Sequence, residues 1–214
     1  MKFPIGIQDF KKIREGGFVY VDKTALLYKL ANEGTIYFLS RPRRFGKSLL
    51  VSTLKYYFGG ERELFNGLAI DALEKDWNSY PIFHVDFNST NYAKSGDALS
   101  KLIKGTVEDW ERQYGYVGNE EFDYGKRFAE LLKHVHATTG KRCVVLVDEY
   151  DKPLLDVLDS GMVEQGGDGK EMLLEDINRE ILKGFYSAFK SADQDLRFVL
   201  LTGVTKFSQV SVFS

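Results

Sequence analysis

Residues 40–50, with the sequence SRPRRFGKSLL, constrain the fold more than any other part of the chain. The run before them, residues 35–39, is short, apolar and typical of a buried strand. From the end of this segment onward, side chains recur at helical spacing at Leu49, Leu50, Thr53, Leu54, Tyr57 and Phe58. A strand, a tight loop ending in Gly-Lys-Ser and a helix form the context that a phosphate-binding P-loop requires. The segment therefore predicts a P-loop that joins a core strand to a helix.

The chemistry expected of this loop follows from its backbone and two side chains. N–H groups of the loop and of the helix N-terminus would converge on phosphates, assisted by the helix dipole. Lys47 would act in catalysis by placing positive charge at the β- and γ-phosphates, and Ser48 would ligate Mg²⁺. The residues expected to contact the nucleotide are Arg43, Arg44, Phe45, Gly46, Lys47, Ser48 and Leu49. Because a P-loop lysine should pack little, we expect Lys47→Ala to leave the stability of the nucleotide-free protein nearly unchanged.

The arginines of the loop leave more than one interpretation open. Arg41 stands where the general P-loop pattern has glycine, so the loop must open with a slightly different turn. Arg43 and Arg44 would contact phosphate in this chain or act on the nucleotide of a neighbouring subunit. The alternative is that both are solvated loop residues.

A second motif, residues 144–149 with the sequence VVLVDE, is an apolar strand that ends in two acids. The carboxyl ends of parallel strands form the ligand crevice, so Asp148 would bind Mg²⁺ directly or through water. Glu149 would act as a catalytic base that orients and deprotonates an attacking water. The alternative is a polar strand end leading into a solvated turn, and the P-loop upstream favours the catalytic interpretation.

A third element is the apolar run that ends in Thr202. A polar residue at the end of a strand between the other two would sense the γ-phosphate, which makes Thr202 the candidate. An ordinary β-branched residue at a strand end is the alternative.

Alternating apolar and helical patterns predict the fold class. Helical patterns at residues 23–32, 97–114, 122–138 and 170–190 separate the core strands, with a short strand at 18–21 and a mobile loop at 160–169. Such alternation favours an α/β domain with a mostly parallel sheet and right-handed crossovers. The P-loop and the acidic strand end must flank one crevice, with the sensor strand between them. The predicted strand order is therefore 82–87, 143–148, 197–202, 35–40.

Composition excludes several classes of protein. The chain has 214 residues, enough for one domain with a proper core, and a net charge of −2. The chain has no excess of basic residues of the kind that would indicate nucleic-acid binding by this segment. No stretch resembles a signal peptide or reaches membrane-spanning length. The single cysteine, Cys143, excludes an internal disulfide framework and fits a reducing, cytoplasmic compartment.

Four segments in order along the chain resemble the bacterial AAA-ATPase-like family. They are PIGIQDF at residues 4–10, YVDKT at 20–24, RPRRFGKS at 41–48 and DEYDKP at 148–153. The resemblance implies an ATP-binding, three-layer P-loop NTPase of the additional-strand (AAA-like) type, with Arg-Pro-Arg-Arg-Phe in place of the usual glycine-rich opening. It implies a single domain over residues 1–214, with an N-terminal extension at 1–33 and a core at 34–214. Family members commonly continue into a restriction-endonuclease-like nuclease domain, which this chain would lack.

Three functions stay open at this point. The first is Mg²⁺-dependent ATP hydrolysis that controls a protein partner or the nuclease domain. The second is a nucleotide-gated module without catalysis, and the third is a small-molecule or nucleotide kinase. The Asp148–Glu149 pair favours water over a kinase acceptor, since a kinase base need not follow the metal-binding Asp directly. Because no predicted strand follows Thr202, strand 35–40 would be an exposed edge, and we expect self-association through it.

Overall fold

The computed structural model describes residues 1–165, 169 and 171–205. Its described α-helices are α1 (Phe10–Glu15), α2 (Thr24–Glu33), α3 (Lys47–Phe58), α4 (Ala69–Leu73), α5 (Ala98–Tyr114), α6 (Tyr124–Thr139), α7 (Lys152–Leu155) and α8 (Leu174–Ser191). Its described strands are β1 (Ile36–Ser40), β2 (Ile82–Asp86), β3 (Cys143–Asp148), β4 (Val163–Gln165), β5 (Glu171–Leu173) and β6 (Leu196–Gly203). Strands and helices therefore alternate, as the sequence predicts.

The central sheet has the strand order β1-β6-β3-β2, and every neighbouring pair in it is parallel. This order confirms the predicted one, with β6 inserted between the P-loop strand and the acidic strand. The register pairs Ser40 with Gly203, Val147 with Leu201, and Asp86 with Asp148. The ends of all four strands therefore lie at one edge of the sheet, where an α/β fold forms its ligand crevice.

Two apolar cores flank the sheet and make three layers. Side chains alternate across a strand, so Val145 and Val147 of β3 pack on one face while Val144 and Leu146 pack on the other. The first face is covered by α5, α6 and α8. The second is covered by α1, α2 and α3, and the residues these helices contribute include Phe10, Leu27, Ala31, Val51, Leu54 and Phe58.

Two predicted elements differ in the structure. Residues 18–21 form no strand, because no strand in the described part of the chain pairs with their backbone; Val19 N donates a hydrogen bond to Lys2 O. The predicted helix 170–190 begins only at Leu174. The preceding residues form β5, which pairs antiparallel with β4 inside the predicted loop 160–169. The hairpin is exposed on both strands, so it lacked the half-buried alternation by which a strand is recognised.

A short helix near the N-terminus was missed by the sequence prediction. This helix, α1, is six residues long, is capped by Asp9 and buries Phe10 and Ile13. Such a short helix shows too few turns for a periodic signal. For residues 207–214 the sequence predicts no element, and they lie outside the described residues.

An ion pair between α5 and α6 generates a stability prediction. Arg127 bonds Glu111 through two nitrogens, at 3.0 Å and 2.5 Å, and the side chains are 9% and 6% exposed. Removing one partner of a buried pair leaves an uncompensated charge. We expect Glu111→Gln to lower the free energy of unfolding by about 3–5 kcal/mol in urea denaturation.

The matched control for this substitution is Asp109→Asn, two residues earlier on the same helix. Asp109 pairs with Arg112 at the surface, and both side chains are largely exposed. We expect this change to cost no more than about 1 kcal/mol. Equal losses in the two variants would contradict the role assigned to the buried pair.

Strand β1 generates the second prediction. Among the described residues it is hydrogen-bonded only to β6, so it lies at an edge of the sheet. An uncovered edge offers unpaired N–H and C=O groups to another chain. We expect light scattering over a dilution series to show a mass that rises with concentration. A mass equal to one chain at every concentration would count against association through β1.

Candidate functional site

The P-loop occupies the connection between β1 and α3. Its backbone turns through two left-handed residues, Arg44 with φ 68° and Gly46 with φ 76°. Arg41 does not adopt a positive φ, and its N–H bonds Gly203 O at 3.1 Å, which extends the β1–β6 ladder by one residue. The loop therefore closes without glycine at position 41.

Lys47 is the first residue of α3 and is only 4% exposed. Its ammonium group donates to Arg41 O at 3.1 Å and to Pro42 O at 3.4 Å, so it folds over its own loop. It also lies 3.3 Å from Glu149 Oε1. This ion pair joins the P-loop to the acidic turn after β3. In the sequence, Lys47 and Glu149 belong to two separate motifs.

The acidic turn has an unusual backbone. Asp148 ends β3 and is buried, whereas Glu149 has a φ of 55°, a left-handed conformation rare for a residue other than glycine. Such a conformation costs about 1–3 kcal/mol and persists only where the surrounding structure imposes it. Tyr150 N donates to Thr202 O at 2.8 Å, which holds the turn against β6.

Thr202 lies between the two motifs, at the end of β6. Its hydroxyl donates to Asp148 Oδ1, and the N–H of Glu149 donates to the same hydroxyl at 3.4 Å. The side chain is fully buried, so it contacts the acidic pair and is not exposed in the cavity. A role in sensing the γ-phosphate would therefore act through Asp148 and Glu149.

A cavity of about 920 Å³ lies over the P-loop and the acidic turn. The cavity is lined by Glu149 and by six of the residues predicted to bind the nucleotide: Arg43, Arg44, Gly46, Lys47, Ser48 and Leu49. Phe45 is largely exposed and lines a neighbouring apolar cavity of about 660 Å³, between α2, α3 and the N-terminal segment. Asp148 and Thr202 lie beneath the larger cavity without lining it.

The remaining wall of the cavity comes from residues that the sequence analysis did not assign to the site. They are Ile5, Gly6, Ile7, Gln8, Asn88, Lys152, Leu155, Asp156 and Val204. Asn88 lies two residues after Asp86, the last residue of β2. The carboxyl ends of all the parallel strands meet at this edge, so the position of Asn88 just after a predicted strand could have indicated that it belongs to the site. The N-terminal segment carried no comparable signal, since only tertiary packing brings it to the P-loop.

The residues at this edge fit a Mg²⁺ ion held in the usual way. In the part of the chain that the structure describes, no three His, Cys, Asp or Glu side chains are grouped to hold a metal. Mg²⁺ in nucleotide sites commonly takes one or two protein oxygens, with water and phosphate oxygens completing the octahedron. Ser48, the second residue of α3, lines the cavity, and Asp148 ends β3 beneath it, so their side-chain oxygens are suited to be those ligands.

The histidines and the cysteine are not among the residues that line the cavity over the P-loop. Burial raises the pKa of the Cys143 thiol to about 12, and the residue belongs to the core. Burial lowers the pKa of His84 on β2. His136 Nδ1 lies 2.8 Å from Asp195 Oδ1, at the opposite end of β6 from the cavity. None of these groups lines the cavity.

Comparison with known proteins agrees with this geometry. A family described as a predicted AAA-ATPase, the AAA-ATPase-like family, matches residues 4–213. The chain belongs to the AAA-ATPase-like family. This membership confirms the resemblance in the sequence, and it supports nucleotide binding by the P-loop domain.

One curated relative extends the comparison. It is an uncharacterized protein in the vnfD 5′ region of Azotobacter chroococcum mcd 1, 42% identical over 218 residues. The alignment covers all of this chain but 39% of the relative, so the chain spans about two-fifths of that protein's length. No solved structure matches the chain. Among the described residues, no helix has the length and apolar character needed to cross a membrane.

The Lys47–Glu149 contact changes the expectation for Lys47→Ala in the nucleotide-free protein. Lys47 is buried, and its removal would leave the carboxylate of Glu149, itself 21% exposed, without its cation. Because Glu149 keeps some access to water, we expect a loss of about 1–2 kcal/mol. That corresponds to a melting temperature lower by roughly 2–8 °C in differential scanning fluorimetry.

Lys55→Ala is the matched control, since Lys55 lies on the same helix and is exposed. It removes the same side chain without breaking a buried ion pair, so its melting temperature should stay close to that of the wild type. If Lys47→Ala is no less stable than Lys55→Ala, the ion pair has no part in the stability of the nucleotide-free state.

Proposed function

We propose that this chain binds Mg²⁺-ATP in the 920 Å³ cavity and hydrolyses it to ADP and phosphate. The observation that supports this most directly is the 3.3 Å contact between Lys47 and Glu149. The P-loop cation Lys47 and the acid after β3, Glu149, face one cavity, at the edge where parallel sheets bind ligands. A cation for the phosphates and a base for water are the two groups that this hydrolysis needs at one place.

In this proposal each residue has a separate task. The N–H groups at the start of α3 and the ammonium of Lys47 would bind the phosphates. Ser48 and Asp148 would ligate Mg²⁺, which supplies neutralisation of the charge on the phosphoryl oxygens. Glu149 would orient a water and accept its proton. Thr202 would keep Asp148 and Glu149 in place through its hydroxyl.

The ion pair also indicates how binding would prepare the base. The carboxylate of Glu149 is held by the ammonium group of Lys47, 3.3 Å away. Phosphates in the cavity would compete for Lys47 and leave Glu149 free to accept a proton. Binding and activation of the base would therefore be one event.

Arg43 and Arg44 add positive charge to the same wall of the cavity. Both are exposed, and neither forms an ion pair with any carboxylate in the described part of the chain. Their guanidinium groups are suited to bidentate contacts with phosphate oxygens. We propose that they contact the phosphates of the nucleotide bound in this chain.

The energy of ATP hydrolysis would be used to control another protein or another domain. We propose that the whole chain acts as one domain, and that turnover controls a protein partner or a nuclease domain of a longer protein. The greater length of the Azotobacter chroococcum relative supports a setting of this kind.

Mg²⁺-ATP should stabilise the folded chain, since the unfolded chain has no P-loop. At one hundred times the dissociation constant, a ligand adds about 2.7 kcal/mol to the free energy of unfolding. For a domain of this size the melting temperature should rise by roughly 5–10 °C. Lys47→Ala should abolish most of this rise relative to its own nucleotide-free value, and Lys55→Ala should keep it.

Phosphate release separates hydrolysis from binding. Glu149→Gln should keep the thermal shift and lose turnover, because it removes the base and leaves the phosphate-binding groups intact. A wild-type shift without phosphate release would favour the nucleotide-gated module. No shift in the wild type, or an equal shift in Lys47→Ala, would contradict the P-loop assignment itself.

A further inference from the structure

Asp151 lies three residues after Asp148 and takes no part in lining the cavity. It is only 2% exposed, although a buried carboxylate is costly unless its oxygens accept hydrogen bonds. Its Oδ2 accepts three of them: from Val204 N at 2.8 Å, from Thr205 N at 2.6 Å and from the Thr205 hydroxyl at 2.7 Å. Asp151 therefore fastens the residues after β6 to the turn after β3.

The same residues after β6 also contact the P-loop. Val204 O accepts a hydrogen bond from the Ser40 hydroxyl at 3.0 Å, and Gly203 O accepts one from Arg41 N at 3.1 Å. Ser40 and Arg41 are the two residues at which the P-loop leaves β1. A short chain of hydrogen bonds thus runs from Asp151 through residues 203–205 to the start of the P-loop.

Gly203 shows how closely these parts approach one another. A Cβ atom at this position would lie 2.7 Å from Asp151 Oδ1 and 2.6 Å from Tyr150 Cε1. Both distances are shorter than van der Waals contact allows, so only glycine lets the turn and β6 come together. Tyr150 adds a further bond across this junction, from its hydroxyl to Thr205 O at 2.6 Å.

We propose that Asp151 is a positioning residue that holds the P-loop and the acidic turn at the spacing required for hydrolysis. The proposal rests on the proposed ATPase function. Without Asp151, the N–H groups of Val204 and Thr205 lose their acceptor, and the end of β6 can shift relative to Glu149. The P-loop keeps its own bonds, such as Leu50 N to Gly46 O at 2.9 Å, so phosphate binding should survive.

The expected signature is a change in turnover with little change in affinity. Misplacing a catalytic group by about 1 Å can cost on the order of 100-fold in rate. We expect Asp151→Ala to lower kcat for ATP by roughly 100-fold, with the dissociation constant of Mg²⁺-ATP within about 3-fold of wild type. Asp151→Asn should be intermediate, because its amide oxygen can still accept while the charge that strengthens these bonds is gone.

Asp195→Asn is the matched control for loss of a buried carboxylate. Asp195 is buried at the other end of β6, where it bonds His136. We expect this variant to lose stability and keep kcat, when all proteins are assayed well below their melting temperatures. Gly203→Ala should reproduce the kcat defect of Asp151→Ala, since it forces the same junction apart from the β6 side.

Amide hydrogen exchange on the nucleotide-free chain tests the junction without any assay of activity. Asp151→Ala should speed exchange at Arg41, Val204 and Thr205 and leave β2 unchanged. Unchanged exchange at these three amides, or an unchanged kcat in a variant of an active wild type, overturns the positioning role alone. A wild type that neither binds nor hydrolyses ATP contradicts the proposed function and the positioning role together.

Discussion

The double pairing of β6, with β1 on one side and β3 on the other, determines where the P-loop and the acidic turn lie. Along this ladder Ser40 pairs with Gly203, and Val147 pairs with Leu201. Both neighbouring strands therefore end at the same level, and the loops that follow them emerge side by side. Thr202 occupies the position between them, so its hydroxyl can bond the acidic turn while the backbone beside it bonds the P-loop.

Most of the buried charge at this edge is offset by an ion pair or by hydrogen bonds, although Asp151 Oδ1 has no hydrogen-bond partner among the described residues. Lys47 is surrounded by two loop carbonyls and Glu149, which offset the loss of hydration of its ammonium group. Asp148 accepts from Thr202, and Asp151 accepts from the residues after β6. The strained φ of Glu149 belongs to the same arrangement, since it turns the backbone immediately after the strand. Strain and buried charge are thus concentrated at the proposed site.

The core strands were predictable because they are apolar runs long enough to be recognised and bounded by glycine, proline or acids. β3 is buried on both faces, which its unbroken run of apolar residues indicated. Two of the errors fall on elements that lack such a signal. Helix α1 is too short, and the β4–β5 hairpin is exposed throughout, so backbone pairing rather than apolar burial defines it. Residues 18–21 had the composition of a strand, but no strand among residues 1–165 and 171–205 pairs with them.

The sequence by itself determined the parts of the site that depend on local structure. Gly46, Lys47 and Ser48 belong to a strand–loop–helix unit, and Asp148 and Glu149 end an apolar strand; both can be recognised in a few consecutive residues. Only the tertiary structure decided which groups meet. The Lys47–Glu149 pair, the N-terminal wall of the cavity and the contacts of Asp151 join residues far apart in the chain. No local pattern encodes such contacts, because they follow from strand order and from the close packing of β6 against its two neighbours.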